Sequence, residues 1–157
     1  MDLKIAEDQS VSSSQQIEKD ESDDNIMKGM RFLCAEDNEL NAEILTELLK
    51  IEGAECTVCE NGERILEAFE RSAPGDYDMI LMDIQMPVMN GYEAVKAIRQ
   101  LPGKRGSIPV VALTANAFEE DRKKALDAGM NGHIAKPLNM ERLLLTMGEI
   151  LSDCIFS

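Results

Sequence analysis

Five side chains in this sequence stand where chemistry is commonly done. Glu36 and Asp37 follow a short apolar run at 32–35. Asp83 ends the run 79–82, Thr114 ends 108–113, and Lys136 follows 133–135. Three carboxylates drawn together repel one another unless a cation joins them. Lys136 supplies one positive charge, and a divalent metal is the natural second. An all-oxygen donor set suits Mg²⁺, which keeps several waters and takes one or two carboxylates with a phosphate oxygen. Zinc would want Cys and His. An ionised Asp83 can attack a phosphoryl group without a general base and form an acyl phosphate. Mg²⁺, Lys136, the Thr114 hydroxyl and loop amides would stabilise the charge on the transferred oxygens.

Such a cluster needs a scaffold that delivers all five residues to one edge. Each apolar run before a site residue reads as a strand, and that at 78–82 suits a parallel strand covered on both faces. Between the runs the spacing changes to that of a helix. Leu40, Ile44, Leu45, Leu48, Leu49 and Ile51 predict a first helix with one buried face, stopped at Gly53. Asn38 is its cap candidate. A second strand covers 54–59, and Asn61-Gly62 reads as a turn. Further helices carry Ile65, Leu66 and Phe69, then Ala94 to Ile98, then 118–128, then 143–151. Five strand–helix repeats imply a parallel sheet with right-handed crossovers and are too few for an eightfold barrel. The expected fold is α/β: an open, doubly wound, five-stranded parallel sheet flanked by five helices. Ligands of such sheets bind beyond the carboxyl ends of the strands, where these five residues stand.

Charge narrows the function classes. The net charge is −14, with −5 on residues 1–30 and −9 on the rest. A nucleic-acid binder needs Lys and Arg against phosphates, and an anionic membrane surface repels an acidic chain. Neither partner is expected. No apolar run approaches the ~20 residues of a membrane span, and no signal peptide is visible. The four cysteines, Cys34, Cys56, Cys59 and Cys154, suggest no disulfide scaffold, so a reduced cytoplasmic setting is expected. Residues 1–30 read as a flexible acidic, polar linker with a strand-like stub at Leu3 and Ile5, and residues 31–157 as the folded domain.

The motif set resembles the receiver domain of two-component response regulators, most of all the C-terminal receivers of hybrid sensor histidine kinases. The matching pieces are Glu36-Asp37-Asn38, Asp83 through Pro87 to Gly91, Ala112-Leu113-Thr114-Ala115 and Lys136-Pro137. The resemblance covers residues 31–152 and implies a flavodoxin-like sheet of order 2-1-3-4-5. It implies that Asp83 accepts a phosphoryl group from phosphohistidine. Mg²⁺ would touch Asp37, Asp83 and the backbone carbonyl of Gln85, and Glu36 through water. Lys136 and Thr114 would bind the phosphoryl group and switch the domain. Gln85 and Asn116 would tune dephosphorylation, and Pro87 and Gly91 would shape the loop, Gly91 by relieving backbone strain. His133 occupies the place of the usual switch aromatic, where its charge would make the movement sensitive to pH. The implied partners are a histidine kinase or histidine phosphotransfer domain, docking on the first helix around Asn41, Ile44 and Leu45. A homodimer through the fourth and fifth helices is also implied. The chain is expected to be an excised kinase receiver or a stand-alone regulator. It would not be a conventional enzyme, since its transfer and slow hydrolysis are self-catalysed.

Rival readings are weaker. An aspartate-dependent phosphohydrolase needs a second acid two residues after the nucleophile, where this chain has Gln85. A flavin site lacks its phosphate loop. A phosphorylation-independent interaction domain does not account for the acidic set. Cys56 and Cys59 lie in one strand three residues apart, which sends them to opposite faces and favours packing over redox chemistry. Packing also accounts for Met79, Met82, Met86 and Met89. His133, the one histidine, is not expected to be a phosphohistidine donor.

Overall fold

The computed structural model describes residues 26–86, 88–115 and 119–156. Residues 1–25 of the linker expected at 1–30, with the stub at Leu3 and Ile5, lie outside these residues, as do Pro87, Asn116 and Phe118. The described chain alternates β1 (Arg31–Ala35), α1 (Glu39–Ile51), β2 (Glu55–Cys59), α2 (Gly62–Arg71), β3 (Met79–Asp83) and α3 (Gly91–Arg99). It continues through a 3-10 helix (Gly103–Ser107), β4 (Val110–Thr114), α4 (Glu119–Ala128), β5 (Gly132–Ala135) and α5 (Met140–Phe156). All strand pairs are parallel, in the order β2-β1-β3-β4-β5. Among the described residues, no helix is long and apolar enough to cross a membrane.

The period-two geometry of the strands sorts the apolar residues onto two faces. Leu33, Ala35, Ile80, Met82, Val110 and Ala112 pack with Ile65, Phe69, Val95 and Ile98 under α2 and α3. Phe32, Cys34, Met79, Leu81, Val111 and Leu113 pack with Leu45, Leu49, Leu143 and Met147 under α1 and α5. β3 and β4 are buried along their whole length because both faces are covered. Met27, ahead of β1, joins the second core and is fully buried. Cys59 belongs to the first face and Cys56 to the second, as their spacing predicts.

The helix ends follow local chemistry. Asn38 caps α1 by accepting a hydrogen bond from the Asn41 N–H at 2.9 Å. Gly53, at φ +81°, ends it. Asn61 and Gly62 do more than turn the chain: Asn61 caps α2, and Gly62 is its first residue. A Cβ at Gly62 would stand 2.4 Å from the Met89 carbonyl oxygen, so glycine lets α2 touch the loop after β3.

The 3-10 helix has no hydrophobic periodicity to announce it. Two arginines fasten it. Arg99 donates to the carbonyls of Gly106, Ile108 and Gly129 at 2.6–2.9 Å. Arg105 donates to the carbonyls of Phe69 and Ser72 at the end of α2.

Candidate functional site

The backbone ladder is continuous up to the carboxyl ends of the strands, and this fixes where the functional side chains start. The Glu36 N–H donates to the Cys59 carbonyl at 2.9 Å, Ile84 to Leu113 at 3.1 Å and Lys136 to Thr114 at 2.7 Å. Asp83 ends β3 beside Leu113 of β4, and Thr114 ends β4 beside Ala135 of β5. Glu36, Asp83 and Thr114 are buried, with 3%, 4% and 7% of their surface exposed, whereas Asp37 is open to solvent.

Lys136 bridges two of the acids. Its Nζ lies 3.1 Å from Asp83 Oδ2 and 3.0 Å from Glu36 Oε1. The other oxygen of Asp83 accepts the Gln85 N–H at 3.2 Å, and Glu36 Oε2 accepts the Asn38 N–H at 3.2 Å. Burial pushes the Asp83 carboxyl up to about 6, the nearby charge of Glu36 adds to the rise, and Lys136 opposes it. For Lys136, burial pulls the ammonium down. The close contact with Glu36 and the charges of Asp83 and Glu36 outweigh it and raise the group above its ordinary value.

One ammonium does not balance three carboxylates. Glu36, Asp37 and Asp83 each place an oxygen within 4.8 Å of the other two. Glu36 Oε1 is buried, and beyond its ionic contact with Lys136 it has no hydrogen-bond partner of good geometry among the described residues. Such an oxygen calls for a further cation or its water. The donor set is all oxygen, as hard divalent cations require. Asp37 and Gln85 share an open cleft with Met86, Asn90, Tyr92 and Lys124. Neither Tyr92 nor Lys124 follows a strand, so nothing in the local sequence marks them.

Gly91 is needed at the site, but not because its backbone is strained as expected. Its φ is ordinary, and the constraint is space. A Cβ there would stand 2.6 Å from the Asp83 carbonyl oxygen and 2.9 Å from Ile84 Cα. The strained residue is Val88, at φ 69°.

Three placements differ from expectation in detail. Leu45 cannot face a partner, because it is fully buried under α1 with Leu49. Leu40 and Ile51, expected on the buried face, are 64% and 68% exposed. The stripe Leu40, Ile44 and Leu48 instead borders a groove with Val58 of β2. His133 is half-buried and opens onto a groove between α4 and α5, with Arg122, Leu126, Leu145 and Glu149, rather than onto the acidic cleft.

The arrangement is a buried aspartate at a strand end, held by a lysine beside two more acids. A family model described as "Response regulator receiver domain" matches residues 32–147. The chain belongs to this family. The receiver is 40% identical over 144 residues to hybrid signal transduction histidine kinase B of Dictyostelium discoideum, covering 85% of this chain and 7% of that protein. The chain thus spans a small part of the curated relatives it matches. It resembles the receiver domain of a sensor histidine kinase from Pseudomonas aeruginosa, with TM-score 0.69 and 35% identity over 79% of this chain and 98% of that one. That domain has a magnesium ion coordinated in its active site cleft. It also resembles the receiver domain of a Saccharomyces cerevisiae response regulator co-crystallised with a histidine phosphotransfer protein, with TM-score 0.67, 30% identity, 75% of this chain and 86% of that one. The receiver is therefore a module of two-component signalling.

Proposed function

We propose that Asp83 is the phosphoacceptor of this receiver, that its donor is a phosphohistidine, and that the reaction needs Mg²⁺. The observation that carries this reading is the buried Asp83 carboxylate, held against Lys136 at 3.1 Å inside a triangle of acids. Glu36, Asp37 and Asp83, with the Gln85 carbonyl, would hold the metal, Glu36 through water. When bound, Mg²⁺ neutralises charge on the phosphoryl oxygens and on the carboxylates that must approach them.

The protein's own groups do the rest. An Asp83 oxygen attacks phosphorus as the bond from phosphorus to the donor imidazole breaks, and the imidazole leaves with its electron pair. No proton has to be taken from Asp83. Lys136 is placed to move from the carboxylate to the new phosphoryl oxygens, and Thr114 stands at the next strand end to receive one of them. These new contacts supply the difference in free energy that shifts the conformational equilibrium. Slow hydrolysis of the acyl phosphate, tuned by Gln85 and Asn116, resets it. His133 is a candidate to follow Thr114, from its place beside the α4–α5 groove.

The donor docks beside the acidic cleft on α1, where Asn41 adjoins the stripe of exposed Leu40 and Ile44 and half-buried Leu48. A second copy pairs through α4 and α5, where Leu126 and Leu145 are 55% and 64% exposed. The setting that supplies phosphohistidine is cytoplasmic. A histidine phosphotransfer protein carrying labelled phosphate tests the reading. With Mg²⁺ the label passes to the wild type and stays on the donor when Asp83→Asn replaces it. Transfer to Asp83→Asn at the wild-type rate would refute the assignment.

A further inference from the structure

Three cysteines lie in β1 and β2, and the pair that meets is not the one their spacing suggests. Cys56 and Cys59 face opposite sides of the sheet. Cys34 of β1 pairs in register with Val58, and Phe32 with Cys56, so Cys34 and Cys56 are diagonal neighbours on the face covered by α1. Their sulfurs stand 3.0 Å apart. We propose that Cys34 and Cys56 are an oxidative modification site, converted by hydroperoxides to a reversible disulfide between β1 and β2.

The two thiols are unequal in a useful way. Cys34 is fully buried, whereas Cys56 is half-buried on the edge strand. Val58, two residues on and on the same face, lines the α1 groove with Thr46, whose side chain bonds the half-buried Cys56 thiol. Hydrogen bonds from Cys34 and from Thr46 also pull the Cys56 thiol below its ordinary value against the effect of burial. Cys56 is thus the attacking sulfur and Cys34 the resolving one.

The chemistry balances in two steps. The Cys56 thiolate attacks one oxygen of hydrogen peroxide, the O–O bond breaks, and the hydroxide released takes a proton to become water. Cys56 is left as a sulfenic acid. The Cys34 sulfur then attacks the Cys56 sulfur, the S–S bond forms as the S–O bond breaks, and the departing hydroxide leaves as water with the Cys34 proton. Two thiols lose two electrons and the peroxide is reduced to two waters. The sulfurs need to close by about 1 Å to reach the ~2.05 Å bond length, and the edge strand must draw in, because diagonal Cα atoms stand ~7–8 Å apart and a disulfide holds them within ~7 Å. A thiol reductant reverses the process.

The test is peroxide treatment of the purified protein, followed by intact mass and a non-reducing tryptic map. The expected result is a loss of two hydrogens and a cross-link between peptides 32–50 and 51–64, both reversed by dithiothreitol. The double variant Cys59→Ser, Cys154→Ser keeps the loss and the cross-link, and Cys56→Ser has neither. Three results would overturn the proposal: no cross-link in the wild type, oxidation of Cys56 straight to sulfinic acid, or loss of the cross-link in the double variant while it remains folded by circular dichroism.

Discussion

The ammonium of Lys136 lies 3.1 Å from the carboxylate of Asp83, a residue only 4% exposed. Removing the ammonium leaves Asp83 and Glu36 facing each other without an internal counter-charge. Lys136→Ala should cost about 1–3 kcal/mol in the metal-free protein. It should also slow phosphorylation by at least about tenfold, because it removes a charge aimed at the transferred oxygens. Urea unfolding and acetyl phosphate kinetics measure the two effects separately.

The raised Asp83 carboxyl makes stability depend on pH with a definite sign. The group moves from 3.8 to about 6 on folding. Across that interval the unfolded chain has lost the proton and the folded chain keeps it. The stability Asp83 contributes is therefore full below roughly pH 4 and is lost as pH rises through about 6. Relative to wild type, Asp83→Asn should gain on the order of 1–3 kcal/mol between about pH 4 and pH 7 without metal. Denaturant titrations of both proteins across this range check it. Added Mg²⁺ should offset the wild-type loss, by about 1.4 kcal/mol at ten times its Kd.

Gly91 holds the loop close to the site. Gly91→Ala would place a methyl group 2.6 Å from the Asp83 carbonyl oxygen, which is backbone and cannot swing aside. The expected cost is about 1–3 kcal/mol, with slower phosphorylation as Asp83 is displaced. Thermal unfolding and the acetyl phosphate rate should change together.

Arg99 is the structural counterpart, remote from the acids. Its guanidinium bonds three backbone carbonyls and the Asn131 side chain, joining α3, the 3-10 helix and the turn before β5. Arg99→Ala should cost about 2–4 kcal/mol, and Arg99→Lys should recover little because an ammonium cannot reproduce the fork. Phosphorylation of the folded fraction should stay near wild type. Urea unfolding with the phosphorylation assay separates the two outcomes.

β1, β3, β4 and β5 were legible because each is a short run that a site residue ends or follows. Two-sided burial of β3 follows from the unbroken apolar run at 79–82, and the helix start at Asn38 from its capping side chain. What was not legible depends on contacts between elements. Ile44 and Leu45 are adjacent and both apolar, and only the packing of α1 turns Leu45 inward and leaves Ile44 on the groove. The approach of Cys34 to Cys56 depends on the β1–β2 register, which spacing within one strand cannot reveal. The reason for Gly91 is a neighbour's carbonyl, invisible in local sequence, while the positive φ fell on Val88, a β-branched residue that gives no hint of it.

The most direct test of the account is intact mass after incubation with acetyl phosphate and Mg²⁺, beside Asp83→Asn and a chelator-treated control. One phosphoryl adduct is expected on the wild type and none on either control. A folded wild type that takes no adduct, or an Asp83→Asn protein that takes the same one, would contradict it.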